Sequence, residues 1–201
     1  MNVFFDLDGT LLDSRERLYK LFQNLVPDST FQFEEYWELK RNKVNHRQML
    51  HKYFNYSEEK TVQFEKEWFS MIELPEWLLL DKPFTGVTGF LNELKKEHQL
   101  YLVTSRQYDE GVKLQLESAG WEGLFDGLFI THQSEEKANL IKGNVITQKK
   151  DWFVGDTGKD IEAGKTLGIK TAAVLSGFRN RQNLSVYKPT IILESVLDLL
   201  V

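Results

Sequence analysis

The sequence lacks cysteine altogether and has only four prolines among its 201 residues. The absence of cysteine excludes disulfide bonds, thiolate metal sites and cysteine nucleophiles. The chain also lacks a long apolar run, because the dense stretch from Trp77 to Leu80 is far too short to cross a membrane. The first residues, Met1 to Asp6, show neither the basic region nor the extended apolar region of a signal peptide. We therefore expect a soluble cytoplasmic protein with no membrane partner.

The sequence has no large excess of either charge. It contains 25 Lys and Arg and 30 Asp and Glu, which gives a net charge of −5. The basic residues occur as scattered pairs, such as Lys95-Lys96, and form no basic stripe, so nucleic acid is not an expected partner. A composition of 41% hydrophobic and 27% charged residues is ordinary for a globular protein and excludes disorder. The length allows one domain with a smaller insert, and the oligomeric state stays open.

Short apolar runs rich in β-branched and aromatic residues predict buried strands. The runs are Val3–Leu7, Leu100–Thr104, Leu128–Thr131, Trp152–Val154, Thr171–Leu175 and Thr190–Leu193. Helical patterns separate the later runs. One has apolar residues from Val87 to Leu94 at helical spacing, and another covers Asp109–Ala119 and stops at Gly120. This alternation predicts βαβ units and a parallel sheet, and therefore an α/β fold.

Residues 14–82 interrupt the alternation with a purely helical region. The predicted helices are Arg15–Leu25, Phe33–Asn42, Arg47–Phe54 and Glu58–Ile72. The region holds thirteen of the 26 aromatic residues, which most simply give it a core of its own. We therefore predict an α/β catalytic core formed by residues 1–13 and 83–201, with a helical cap inserted at 14–82. Lys82-Pro83 is the expected return hinge.

Two carboxylates follow the first predicted strand, in the segment Asp6-Leu7-Asp8-Gly9-Thr10. Residues two apart on a strand share a face, and ligands of open α/β sheets bind beyond the carboxyl ends of the strands. Two carboxylates ~4 Å apart repel by roughly 4 kcal/mol at an effective dielectric constant of about 20. The pair Asp6 and Asp8 must therefore share a proton, bind a cation or splay apart.

Two further carboxylates are predicted at the same edge of the sheet. Asp156 follows the run Trp152–Val154, and Asp160 lies about one turn into the next helix. Taken singly, each is explained by a turn or a helix cap. Four carboxylates at the ends of two strands cannot satisfy one another, and a cluster of oxygen ligands favours Mg²⁺ over softer metals.

Three more residues are positioned to bind an anion beside this cluster. Thr104 ends a predicted strand and offers a hydroxyl, and Ser105 follows it with a hydroxyl and a backbone N–H. Lys137 opens a helix after the strand Leu128–Thr131 and can place a positive charge on a phosphoryl oxygen. Each is ordinary alone, but their common position beside the carboxylates supports a phosphoryl site.

The sequence resembles the haloacid dehalogenase superfamily of phosphotransferases over nearly its whole length. Residues 4–14, FFDLDGTLLDS, are similar to the first motif of that superfamily, and Thr104 stands in the second. Lys137 fits the third motif, and Gly155-Asp156 with Asp160 fits the fourth. The helical insertion is similar to the C1-type cap of the phosphoglycolate-phosphatase and β-phosphoglucomutase branch. The resemblance implies a Rossmann-like parallel-sheet core with an inserted α-helical cap.

The resemblance also implies the chemistry of the carboxylates. Asp6 would be the nucleophile that forms an aspartyl-phosphate, and Asp8 would protonate the leaving oxygen and then deprotonate water. Mg²⁺ would be held by Asp6, the main-chain carbonyl of Asp8 and Asp156, with Asp160 as a further or water-mediated ligand.

The remaining roles concern the phosphoryl group and the choice of substrate. Thr104 and Lys137 would hold phosphoryl oxygens, with Ser105 beside them. The proline that commonly follows the motif lysine is absent here, which leaves Lys142 as an alternative to Lys137. Arg106 could contact substrate or lie on the surface. Arg47, near the start of a helix in the predicted cap, could pair with an anionic substrate or be solvated.

The function expected from these residues is hydrolysis of a small phosphorylated metabolite by a Mg²⁺-dependent phosphatase. A phosphomutase of the same superfamily would use the same nucleophile and the same Asp8. A regulatory module that accepts a phosphoryl group on Asp6 is the alternative from another class, and a long-lived aspartyl-phosphate would favour it. The sequence does not determine which phosphoester is cleaved.

Overall fold

A computed structural model describes residues 1–200, and its eight strands form a large and a small sheet. The strands are β1 (Asn2–Phe5), β2 (Leu12–Asp13), β3 (Lys82–Pro83), β4 (Gln99–Thr104), β5 (Gly127–Ile130), β6 (Trp152–Gly155), β7 (Lys170–Val174) and β8 (Ile191–Leu193). Six of them form a parallel sheet in the order β5-β4-β1-β6-β7-β8. The predicted α/β fold is confirmed, and all six predicted strands are present.

The first strand ends two residues earlier than the apolar run predicts. The carbonyl of Leu7 accepts hydrogen bonds from the backbone N–H groups of Leu11 and Leu12, both at 3.0 Å, which closes a tight turn. Gly9 within this turn has a φ of 80°, a left-handed conformation that glycine adopts without steric cost. The turn therefore takes Asp6 and Asp8 out of the sheet at its carboxyl edge.

Five helices lie between β2 and β3 in the chain. They are α1 (Arg15–Leu25), α2 (Phe33–Arg41), α3 (His46–Phe54), α4 (Glu58–Met71) and α5 (Pro75–Leu78). Buried Phe22, Tyr36, Trp37 and Phe64 belong to one hydrophobic cluster within this helical segment (residues 15–78). The four predicted helices are present within one residue at either end, and the short α5 was not predicted.

The other helices pack against the large sheet. They are α6 (Val87–Lys95), α7 (Asp109–Ala119), α8 (Lys137–Asn144), α9 (Gly158–Leu167), α10 (Arg181–Ser185) and a 3₁₀ turn at Val196–Asp198. Two apolar clusters contain the alternating side chains of β1, with Val3 and Phe5 in one and Phe4 in the other. The central strand is thus buried on both faces, as parallel sheets require.

The helical segment is joined to the sheet through the antiparallel pair β2–β3. Leu12 pairs with Pro83, and Asp13 pairs with Lys82, so the entry and the return of the chain lie side by side. This places Lys82-Pro83 where the return hinge was expected. None of the helices in residues 1–200 combines the length with the hydrophobicity that a membrane span requires.

Candidate active site

Three buried carboxylates converge at the carboxyl edge of the large sheet. One oxygen from each of Asp6, Asp156 and Asp160 lies within 4.8 Å of the others. Asp6 follows β1 and Asp156 follows β6, and these strands are neighbours in the sheet. Asp160 lies in the first turn of α9, where its Oδ2 accepts hydrogen bonds from the Thr157 N–H (3.0 Å) and hydroxyl (2.7 Å). The topology therefore brings three of the four predicted carboxylates together, and the carboxylate of Asp8 lies apart from them.

Lys137 links two of these carboxylates. Its Nζ donates to Oδ1 of Asp6 at 2.5 Å and to Oδ1 of Asp160 at 2.7 Å. Burial alone would lower the pKa of Lys137, but the Asp160 and Asp6 carboxylates outweigh burial and raise it. Lys142, the alternative, is exposed on the same helix. The structure thus places Lys137, rather than Lys142, on the carboxylates.

The acidic cluster has more negative charge than Lys137 can balance. Burial raises the pKa of Asp6 to about 7, with a contribution from the Asp160 charge and opposition from Lys137. Burial also raises the pKa of Asp156 well above its usual value, and Asp6 and Asp160 add to this. Oδ2 of Asp156 accepts a 2.5 Å hydrogen bond from the Phe178 N–H, whereas its buried Oδ1 has no partner. A buried, oxygen-only donor set with an unpartnered oxygen fits a hard divalent cation.

Two glycines allow the backbone to approach Asp156 closely. A Cβ added at Gly177 would lie 2.0 Å from Oδ2 of Asp156, and one added at Gly9 would lie 2.6 Å from the same atom. Both distances are shorter than van der Waals contact, so any side chain at either position displaces the carboxylate. The loop after β7 and the turn after β1 therefore fix Asp156 together.

A Gly177→Ala substitution is expected to weaken divalent-metal binding at least about tenfold, because outer-sphere support of a metal ligand carries an effect of that size. The added methyl group would displace the Asp156 carboxylate, which is one of the three in the acidic cluster. Calorimetric titration with Mg²⁺ measures the effect. Gly89→Ala is the matched control, since an added Cβ there meets nothing within 4 Å. Equal affinities for the two variants would contradict the prediction.

Asp8 binds different partners from Asp6. Arg106 donates through Nε to Oδ2 (2.7 Å) and through Nη2 to Oδ1 (2.8 Å), and Arg17 donates through Nη2 to Oδ1 (2.5 Å). Burial would raise the pKa of Asp8, but the Arg106 and Arg17 guanidinium groups outweigh burial and hold it at about 2. The two motif carboxylates therefore splay onto separate cations, and Asp8 is ionised.

A second carboxylate, that of Asp81, also contacts both arginines. Oδ1 of Asp81 accepts from Nε of Arg17 at 3.0 Å, and its Oδ2 accepts from Nε2 of Gln115 at 2.8 Å. Oε1 of Gln115 in turn accepts from Nη2 of Arg106 at 2.9 Å. Two arginines and two aspartates thus form one network, bridged by Gln115, next to the point where the chain returns to the sheet through β3.

The predicted phosphoryl-binding residues differ in their exposure to solvent. Thr104 is buried at the end of β4, and Ser105 is exposed directly after it. Ser105 and Lys137 line a cavity of about 450 Å³ together with Thr131, Gln133, Ser134, Glu135, Glu136 and Lys159. The structure therefore has an open cavity beside Ser105 and Lys137.

Arg47 and Arg106, the two predicted specificity residues, occupy contrasting positions. Arg106 is buried on Asp8, which excludes the surface position that the sequence allowed. Arg47 pairs with Glu65 (Nη2 to Oε2, 2.6 Å) and with Glu58, both on α4. The structure brings Arg106 to the site and leaves Arg47 in an ion-pair group between α3 and α4.

The sequence was compared with models of known protein families. Residues 3–174 match the family model described as haloacid dehalogenase-like hydrolase. The chain belongs to this family.

Curated and structural relatives of this haloacid dehalogenase-like hydrolase cover almost the whole chain. A phosphoglycolate phosphatase from Aquifex aeolicus is 29% identical over 188 residues, covering 88% of this chain and 85% of the relative. The pyrophosphatase PpaX from Bacillus cereus strain Q1 is 27% identical over 207 residues, covering 98% and 94%. A haloacid dehalogenase-like hydrolase from Streptococcus pneumoniae superimposes with a TM-score of 0.74 at 21% identity, covering 96% and 92%. The predicted superfamily and the predicted phosphatase class of enzyme are confirmed.

Arg17, Asp81 and Gln115 were missed by sequence reasoning about this hydrolase. Arg17 precedes buried Leu21 by four residues, so it occupies the apolar face of α1. A charged residue on the buried face of an amphipathic helix is rare without a partner, and this was the available signal. Asp81 lies in a loop, where a charged residue is expected, and Gln115 is an uncharged residue of α7. Neither position therefore indicates a buried charged network from the sequence.

Proposed function

We propose that this enzyme is a Mg²⁺-dependent phosphatase that hydrolyses a small phosphorylated metabolite through an aspartyl-phosphate on Asp6. The observation that carries the proposal is the contact of Lys137 with Asp6 inside a buried acidic cluster. A nucleophile, a phosphoryl-binding cation and a candidate metal site thus meet at one point. Each element is required for phosphoryl transfer to a carboxylate.

Asp6 is the proposed nucleophile, and its surroundings fix its orientation. Its backbone N–H donates to the carbonyl of Val154 at 2.9 Å, which ties the residue to β6. Its Oδ1 is held by Lys137, and the Thr10 hydroxyl lies 3.4 Å from its Oδ2. A carboxylate held in this way attacks phosphorus without first losing rotational freedom. Lys137 is then positioned to neutralise phosphoryl oxygens as Asp6 attacks.

Asp6, Asp156 and the main-chain carbonyl of Asp8 are the proposed Mg²⁺ ligands, with Asp160 as a further or water-mediated ligand. The unpartnered Oδ1 of Asp156 is the structural support for this assignment. When bound, Mg²⁺ neutralises charge between the nucleophilic carboxylate and the phosphoryl group. Thr104 and Ser105 complete the proposed phosphoryl site from the end of β4.

Asp8 is the proposed acid and base. It lines a cavity of about 210 Å³ between the sheet edge and the helical segment, so its carboxylate can reach a leaving oxygen in that space. Its ionised form, favoured by Arg106 and Arg17, is the form that removes a proton from water in the second half of the reaction. Protonation of the leaving group requires Asp8 to lose some of these contacts in the substrate complex.

The helical segment is the proposed cap. Leu18, Trp68, Phe69 and Ile72 form apolar walls of the cavity at Asp8. Such walls exclude water and limit the size of the substrate. The relatives named phosphoglycolate phosphatase and pyrophosphatase PpaX support a small phosphorylated substrate.

The stability of the metal-free enzyme is expected to fall as the pH rises from about 5 to about 7.5, by at least about 1 kcal/mol. The pKa of Asp6 is raised from 3.8 to about 7 in the folded protein, and that of Asp81 is raised to about 6. Burial lowers the pKa of His46, which opposes this trend, but the raised pKa values of Asp6, Asp81 and Asp156 outweigh it. The folded state therefore binds more protons than the unfolded state in this window, and this stabilisation is lost as the carboxyl groups ionise. Thermal melts in a chelator measure the effect.

Mg²⁺ should reverse this loss, because the ion takes the place of the protons on the cluster. The rise in melting temperature on adding Mg²⁺ should accordingly be largest at the upper end of the window. A melting temperature in the chelator that rises between pH 5 and 7.5 would contradict the raised pKa of Asp6.

The proposed function is tested by phosphate release from phosphoglycolate, pyrophosphate and an aryl phosphate, with Mg²⁺ and with a chelator. Release that requires Mg²⁺ supports the proposal, and the preferred compound indicates the substrate class. Absence of release from all three by folded, Mg²⁺-loaded protein would contradict it.

A further inference from the structure

Two buried arginines form the basic part of the wall of the cavity at Asp8. Arg17 is 3% exposed and comes from α1 of the helical segment, and Arg106 is 4% exposed and follows β4. The one other acid of this wall, Glu73, is already engaged, since its Oε1 accepts from the Gln107 N–H at 2.8 Å. The remaining wall is apolar or uncharged, so the arginines set its recognition chemistry.

The arginines hold Asp8 through three donors: Nε and Nη2 of Arg106 and Nη2 of Arg17. If Asp8 is the acid and base of the reaction, its carboxylate must turn toward the leaving oxygen and give up these contacts. Nε of Arg106 and Nη2 of Arg17 would then be buried without an acceptor, in addition to Nη1 of Arg106, which already has no partner, whereas Nη2 of Arg106 would keep Gln115. The two buried guanidinium groups would then share the single carboxylate of Asp81, and a buried positive charge in excess of its partners is strongly unfavourable. Another anion must therefore take the place of the Asp8 carboxylate.

We propose that Arg17 and Arg106 bind a second anionic group of the substrate, located close to the transferred phosphoryl group, in exchange for Asp8. This inference rests on the proposed function and narrows its substrate class to phosphorylated compounds with a neighbouring carboxylate or phosphate. Both groups present paired oxygens that match the planar donor fork of arginine. When a substrate lacks such a group, the Asp8 carboxylate stays bound to the two arginines and does not turn toward the leaving oxygen.

The cavity at Asp8 is small and adjoins the cavity at Lys137, since Ser105 and Gln133 line both. Its volume of about 210 Å³ is below the range of roughly 300–1,000 Å³ typical of sites for drug-sized ligands. Trp68 and Phe69 close one side with aromatic surface. The substrate therefore has room for a short linker of a few atoms between its phosphoryl group and its second anion.

The test compares phosphoglycolate with ethyl phosphate, which has the same chain length but no carboxylate. Pyrophosphate is the probe whose second anionic group is a phosphate. We expect kcat/KM for phosphoglycolate or pyrophosphate to exceed that for ethyl phosphate by about tenfold to 100-fold, the range of charge-assisted hydrogen bonds. Arg106→Lys and Arg17→Lys keep the charge but remove the fork, and each should reduce this preference at least about tenfold. Arg181→Lys is the matched control, because Arg181 forms an exposed pair with Glu194.

Binding of the same probes to the Mg²⁺-loaded Asp6→Asn protein, measured by calorimetry, tests the inference independently of turnover. Tighter binding of phosphoglycolate or pyrophosphate than of ethyl phosphate, lost in the Arg106→Lys background, supports it; which of the two binds more tightly identifies the anion. Equal kcat/KM for all probes in the wild-type protein, or equal losses on all probes in both arginine variants, would overturn the inference while leaving the proposed phosphatase intact. No hydrolysis of any probe would instead count against the proposed function, and the binding comparison would still decide the inference.

Discussion

Replacing Asp6 by Asn is expected to reduce kcat at least about 10⁴-fold, because the variant loses the oxygen nucleophile itself. The change is nearly isosteric, and Asn retains an oxygen that can accept the hydrogen bond from Lys137. Burial raises the pKa of Asp6, so the substitution also removes an unfavourable buried charge. The variant should consequently fold at least as well as the wild-type protein. Phosphate release under saturating substrate and Mg²⁺, with a thermal melt of each protein, measures both effects.

Asp28→Asn is the matched control for this variant, since Asp28 is exposed between α1 and α2. Its kcat should stay within about twofold of the wild-type value, as surface substitutions generally have small effects. An Asp6→Asn protein that retains more than about a hundredth of the wild-type kcat would show that the nucleophile lies elsewhere, given the usual cost of losing a covalent nucleophile.

Replacing Lys137 by Met is expected to reduce kcat by about 10²- to 10³-fold, the usual effect of removing one group that stabilises transition-state charge. The substitution keeps an unbranched side chain of similar length, so the packing of α8 against the sheet is largely retained. It removes the cation that contacts both Asp6 and Asp160. Transferring phosphoryl oxygens then approach the acidic cluster without this positive charge. Steady-state kinetics at saturating Mg²⁺ separate the loss of kcat from any change in metal affinity.

Lys142→Met is the informative comparison, because Lys142 lies on the same helix and was the alternative left open by the sequence. The exposed position of Lys142 predicts near wild-type kinetics for this variant. A loss of kcat in Lys142→Met as large as that in Lys137→Met would contradict the assignment of the phosphoryl-binding lysine.

The fold was largely predictable because its signals are local. Strands buried on both faces appear as short apolar runs, and β1, β4 and β6 were all found in this way. Asp109–Ala119 matches α7 at both ends, since Gly120 is the left-handed residue that ends the helix. The end of β1 was placed too late, because the turn at Gly9 depends on long-range packing against Asp156 as well as on local sequence.

The candidate site was predictable where residues follow strand ends and was not predictable where partners come from distant segments. Asp6, Asp156 and Lys137 each follow an apolar run or open a helix, and the topology of a parallel sheet then brings them together. The environment of Asp8 depends on Arg17 and Arg106, which are 89 positions apart in the chain by their residue numbers. Their meeting requires the helical segment to fold back along β2 and β3, and no spacing in the sequence encodes that geometry.

The central claim is that Asp6 becomes phosphorylated during turnover, and rapid acid quench with borohydride reduction tests it most directly. Reduction of an aspartyl-phosphate converts the residue to homoserine, which peptide mass spectrometry locates. The proposed mechanism predicts homoserine at position 6 in Mg²⁺-loaded enzyme quenched during turnover, and none in the presence of a chelator or in Asp6→Asn. Quenched, actively turning-over enzyme without modification at position 6, or with modification at another carboxylate, would contradict it.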